Sequence, residues 1–163
     1  MRSFVILCGA LMLGACAEQI EITEPPVAVG VIQGVSNERI ANSTEMTVRT
    51  FTSVDGERAE VGGLACTLRS DELSAQFNSP ASVFVPRFVQ SNRFENRGRP
   101  TPLLIRCEGN GLSGVVSQDA ESKQISTATN AGIAGAILTT AISAAAANST
   151  PWKFADRVDL AVD

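Results

Sequence analysis

The sequence predicts a mainly β protein, a small β-sandwich with one small-residue helix near the C-terminus. Three observations predict it. In short runs after Glu45, apolar residues recur at every second position, the period of a strand with one buried face. The runs are punctuated by Gly, Pro, Asn, Asp and Ser, the residues of turns. Two cysteines, Cys66 and Cys107, fall on apolar faces of such runs. Hydrophobic residues make up 44% of the 163 and aromatic residues only 5%, so the expected core is aliphatic and sized for one domain, two at most.

The chain opens with a secretory layout over residues 1–15. Arg2 is a positive n-region and Phe4 to Leu13 an apolar h-region. A spanning helix needs about twenty apolar residues, and this run is much shorter. Leu13-Gly14-Ala15-Cys16 resembles the bacterial lipobox. That resemblance implies that the Cys16 thiol receives diacylglycerol and that the signal peptide is cut off before it. An ordinary signal peptide with an incidental cysteine is the alternative. Ala17 after the cysteine, rather than aspartate, fits sorting to the outer membrane, facing the periplasm. The membrane is then a partner through the lipid, since each buried acyl methylene stabilises attachment by about 0.8 kcal/mol.

Cys8 leaves with the leader, so two thiols remain. In an exported, oxidising compartment Cys66 and Cys107 are expected to form a disulfide. Metal binding is the weaker alternative for the pair, since two cysteines without a histidine make a poor zinc site, and no metal or cofactor is expected. Cleavage leaves 12 basic residues against 17 acidic ones, a net charge of −5, which argues against nucleic acid as a partner.

Residues 16–44 read as a lipidated tether, stiffened at Pro25-Pro26. Val27, Val29 and Val31 alternate there as a short strand, and Asn37 to Thr44 is polar and loop-like. The sandwich is expected over 45–163. Met46 and Val48 share a face, and Val54 precedes the turn dipeptide Asp55-Gly56. Leu64, Cys66 and Leu68 share the next face, then Ala81, Val83 and Val85, with Pro86 marking an edge or a strand end. Leu103, Ile105 and Cys107 follow, and Val158, Leu160 and Val162 close the chain. The bridge is therefore expected to join strands through the core.

One segment breaks the period. Residues 131–147 are uncharged and rich in Ala, and a helix is expected over about 128–148. Gly132, Ala136, Thr140 and Ala144 make a small-residue stripe suited to close helix approach. Two readings stay open: a helix packed on its own domain, or one engaging a partner or bilayer.

The order of motifs resembles a known family. Gly63-Leu64-Ala65-Cys66-Thr67-Leu68 is followed by Ser79-Pro80-Ala81-Ser82-Val83-Phe84-Val85-Pro86-Arg87 and Pro102-Leu103-Leu104-Ile105-Arg106-Cys107. A Gly/Ala-rich segment and Pro151-Trp152 before a last strand complete the pattern. This is similar to bacterial envelope lipoproteins with a PEGA-like domain, over about residues 45–163. The likeness implies an immunoglobulin-like sandwich and an envelope address, and no reaction. The chain departs from the family by an insertion, Phe88 to Arg99, and by Asn110-Gly111-Leu112.

The chain has no histidine and no tyrosine, which removes the commonest general base and the usual serine-protease triad. No phosphate-cradling Gly-x-x-x-x-Gly-Lys-Ser/Thr run occurs. A non-enzyme is expected. Asp71-Glu72 reads as a solvated turn and Trp152 as a cap on one end of the core. The binding candidate is residues 86–106, where Arg87, Arg93, Arg97, Arg99 and Arg106 meet a single acid, Glu95. Read functionally, this is a hairpin tip whose guanidinium forks touch an anionic envelope component (lipopolysaccharide, peptidoglycan or lipid headgroups) or an acidic envelope protein. Read structurally, it is a loop kept soluble by its charges. The function expected first is a structural or interaction lipoprotein, with the anionic-ligand module as the alternative.

Overall fold

The computed structural model describes residues 19–122 and 150–163. Ten strands run in order: β1 (Val27–Ala28), β2 (Gly30–Val31), β3 (Ile40–Val54), β4 (Glu57–Val61), β5 (Ala65–Arg69), β6 (Leu73–Asn78), β7 (Ala81–Phe88), β8 (Leu103–Gly109), β9 (Leu112–Gln118) and β10 (Arg157–Ala161). They build two five-stranded sheets, and among the described residues no helix reaches seven residues. The helix expected over 128–148 lies outside the described residues.

The first sheet is organised by β3. Its first half pairs antiparallel with β7, its second half with β4, and its other edge takes β10 in parallel. Thr47 and Val48 pair with both β7 and β10, while Thr50 and Phe51 pair with both β4 and β10. Hence β7 and β4 abut along one edge of β3. Thr50 stitches the seam, its hydroxyl bonding to the Val61 carbonyl and to Ser79 Oγ. The β3–β4 hairpin turns at Asp55 and Gly56, whose φ of 52° and 84° are those of the two-residue turn that matches strand twist. The second sheet runs β2-β6-β5-β8-β9, all antiparallel.

The alternation carries the core. Met46, Val48, Leu64, Cys66, Leu68, Val83, Val85, Leu103, Ile105, Cys107, Val158, Leu160 and Val162 are all buried between the sheets. Each such aliphatic side chain stabilises the fold by roughly 1.5–3 kcal/mol. The sandwich closes along one side where β9 meets the C-terminus, Ser113 and Asp163 exchanging backbone bonds of 2.9 and 3.1 Å. Gly114 permits this approach, because a Cβ there would fall on the Ala161 carbonyl oxygen and the Leu160 side chain.

Several expectations change. The disulfide forms, but it does not cross the core between sheets. Cys66 and Cys107 stand directly opposite on the neighbouring strands β5 and β8, with Cα atoms 4.0 Å apart. Two inward-facing residues at one rung of a narrow antiparallel pair are already within bridging reach. The segment read as a tether contributes short strands to both sheets. Val29 is buried where the chain passes from the first sheet (β1) to the second (β2), and β3 begins at Ile40, inside the stretch expected to be loop. After a bulge at Ala41, polar residues 42–45 still form strand there because each has a ladder partner on β7. Pro86 marks an edge and not an end. The backbones of Phe84 and Phe88 point outward from β3, to Val29 and Trp152, so the nitrogen of Pro86 between them lies on the same outer edge, where no β3 bond is lost.

Candidate functional site

Opposite ends of the sandwich are distinguished by what they carry. At one end the chain enters at Ile20. Its N–H donates to Glu60 Oε2 at 3.0 Å, and its carbonyl accepts from Arg49 Nη1 at 3.0 Å. Arg49 and Glu60 themselves meet at 2.6 Å, with side chains 11% and 3% exposed. A buried carboxylate and guanidinium thus close on the backbone N–H and C=O of a single residue.

At the other end lies the arginine segment. It is not a hairpin tip: β7 belongs to the first sheet and β8 to the second, so residues 89–102 cross between sheets. Two strands in different layers cannot share a tight turn, and the connection is correspondingly long. Its path is set by a turn at Ser91, whose carbonyl accepts from Phe94 N–H at 3.1 Å, and by three successive left-handed residues, Asn96, Arg97 and Gly98, with φ of 47°, 57° and 74°. Gly98 has no alternative, since a Cβ would sit 2.7 Å from the Val89 carbonyl oxygen. A non-glycine residue in this region costs roughly 1–2 kcal/mol. Neighbouring bonds offset that at Arg97: its carbonyl accepts from Trp152 Nε1 at 3.1 Å, and its Nη2 donates to Gln90 Oε1 at 2.9 Å.

Trp152 is held by mutual backbone bonds with Phe88, of 3.0 and 2.8 Å, and packs against the core. The Arg99 guanidinium lies 5.7 Å from its ring centroid and 3.4 Å from Asp119. Asn96, Arg97, Arg99, Thr101, Asp119 and Trp152 line an open cleft of about 680 Å³. On the other side of the 150–153 segment, Arg87 lines a cleft of about 320 Å³ with Thr44, Glu45, Lys153 and Asp156.

The arginines expected to act together therefore divide. Arg97 and Arg99 share the larger cleft, Arg87 lines the smaller, Arg93 is exposed on the loop, and Arg106 is on β8 beside Glu108 at 3.2 Å. Arg97 turns to an amide and Arg99 to a carboxylate. The side chains of Arg87 and Arg93 meet no acid among the described residues.

Sequence reasoning missed two acids that organise these ends. Glu60 is one. Glu72, read as a solvated turn residue, is buried and accepts from Thr101 N–H at 3.1 Å and Thr101 Oγ1 at 2.7 Å, with Arg39 at 3.5 Å. It ties the arginine loop to the β5–β6 turn. The turn was legible, Ser70 Oγ accepting from the N–H groups of Glu72 and Leu73. The partners were not, lying about thirty residues away on either side. Displaced proton affinities occur elsewhere, on the outer face of β10. The hydrogen bond from Arg157 chiefly holds the Asp159 carboxyl below the usual range, with Arg58 adding to it, and the same bond raises Arg157. No family model, curated protein or solved structure matches this chain.

Proposed function

We propose that this chain is a lipid-anchored, non-catalytic structural or interaction protein of the bacterial envelope, held by Cys16 in the outer membrane with a PEGA-like sandwich facing the periplasm. The observation that carries the reading is the junction at Leu13-Gly14-Ala15-Cys16, a short apolar leader ending at a cysteine four positions before the folded body takes hold at Ile20. Acyl chains on that cysteine supply membrane affinity that a short apolar run lacks. The absence of histidine and tyrosine from the chain supports a binding role over a catalytic one. Cys16→Ser tests it: the protein should leave washed membranes and lose the diacylglycerol mass increment on its N-terminal peptide. Undiminished membrane retention refutes it.

A second reading, recognition of an anionic envelope component through Arg87, Arg93, Arg97 and Arg99, is favoured by the two guanidinium groups, Arg87 and Arg93, that meet no acid among the described residues. Replacing both with Ala should cut cosedimentation with insoluble peptidoglycan or with lipopolysaccharide several-fold. Unchanged binding of both refutes that reading.

A further inference from the structure

Cys16 and Ile20 are four residues apart, a stretch that reaches at most about 14 Å when fully extended. Ile20 is pinned by its backbone N–H and C=O to the buried Arg49–Glu60 pair, so the freedom of the anchor ends there. Strand β3 is the ruler between this pin and the arginine cleft. Arg49 lies on it, and Ile40, nine residues earlier, stands opposite Phe88, which bridges Trp152. A bulge between Ile40 and Asn42 takes up one residue, so at about 3.3 Å per residue the two stations are about 26 Å apart, nearly twice the reach of the leash.

Among the described residues, neither outer face carries a broad apolar patch on which the body could lie flat. Of the exposed large apolar residues, Ile20 is at the pin, Val31, Val54 and Phe84 are on three different strands, and only Leu104 and Val115 are neighbours, diagonally across β8 and β9. The mature chain carries 17 acids against 12 bases, and an anionic leaflet repels such a body.

We infer that the sandwich stands end-on to the bilayer that anchors it, with residues 89–102 and Trp152 turned away, so that the ligand of that cleft lies beyond the membrane plane and is not a headgroup of the anchoring leaflet. This rests on acylation of Cys16.

The test uses acylated full-length protein in vesicles containing a dansyl-headgroup lipid. Trp152 is the only tryptophan and serves as donor. Its energy transfer to the headgroups should be several-fold weaker than that of a reporter made by Glu21→Trp with Trp152→Phe. Because Trp152 bonds the loop, an independent pair keeps the wild-type tryptophan: coumarin-type donors on Glu21→Cys and Arg93→Cys, read against a matched headgroup acceptor, should show the same order. Arg49→Met with Glu60→Met releases the pin without leaving a lone buried charge and should raise transfer from Trp152. Equal transfer from both ends of acylated protein, or no response to the pin variant, overturns the orientation alone. Floated protein whose Cys16 proves unmodified by mass spectrometry overturns the anchor, and the orientation with it.

Discussion

Glu60 and Arg49 meet at 2.6 Å beneath the backbone N–H and C=O of Ile20, and both side chains are nearly buried. Removing one member of such a pair leaves the other charged and desolvated, at a cost of roughly 3–5 kcal/mol. Glu60→Ala should therefore lower the melting temperature by about 10 °C, at roughly 2–4 °C per kcal/mol for a chain of this size. Glu57→Ala, exposed on the same strand, should shift it by about a degree or less. Thermal unfolding followed by circular dichroism checks both, and equal shifts would show that the pair is not buried as described.

Cys66 and Cys107 are 2% and 0% exposed and 41 positions apart. Chain-entropy reasoning credits a closed loop of that size with about 4 kcal/mol, an upper-end figure. Protein refolded after full reduction, or Cys66→Ala with Cys107→Ala, should melt several degrees lower than the oxidised form. Thiol-specific labelling of native protein should find neither sulfur.

Glu72 binds Thr101 and Arg39, and thereby holds the end of the arginine loop. Glu72→Ala removes the acceptor for the Thr101 N–H and leaves Arg39 without its acid, costing about 2–3 kcal/mol. Limited proteolysis should then cut within residues 89–100 well before the strands are attacked. An unchanged cleavage pattern would show that the loop holds its path without this carboxylate.

Asp159 titrates below its unfolded value because the carboxylate is bonded first by Arg157 and then by Arg58. A depressed folded pKa contributes stability that is fully present above the unfolded value, about 3.9, and is lost as pH falls through the folded one. Asp159→Asn should therefore destabilise the protein slightly at neutral pH and make no difference at the acid end. Denaturant midpoints measured from pH 7 to pH 2 check this, and a gap that persists at pH 2 would assign the effect to packing.

Much of the fold was legible because a half-buried strand writes its period into the chain. Met46 and Val48, Leu64 through Leu68, Leu103 through Cys107 and Val158 through Val162 point inward as their alternation requires. Two strands were written as clearly and went unread: β6, where Leu73 and Phe77 are buried at even spacing, and β9, entered through Asn110-Gly111, whose φ of 53° and 77° make it a second two-residue hairpin turn. The candidate site was legible only as composition. Clustered arginines in sequence say nothing of direction, and the crossing between sheets sends Arg87, Arg93 and Arg97 to different surroundings.

What the sequence determined by itself was local: which side chains face inward, where the chain turns, and that Cys66 and Cys107 point to the same side. What only the tertiary structure decided was pairing at a distance. It set Cys66 opposite Cys107 within one sheet, Glu72 beneath Thr101, and Ile20 over Arg49 and Glu60. The physical reason is that alternation depends on neighbours two residues apart along one strand. The partner of a buried charge depends on which strands lie side by side, and that is settled by the packing of the whole chain.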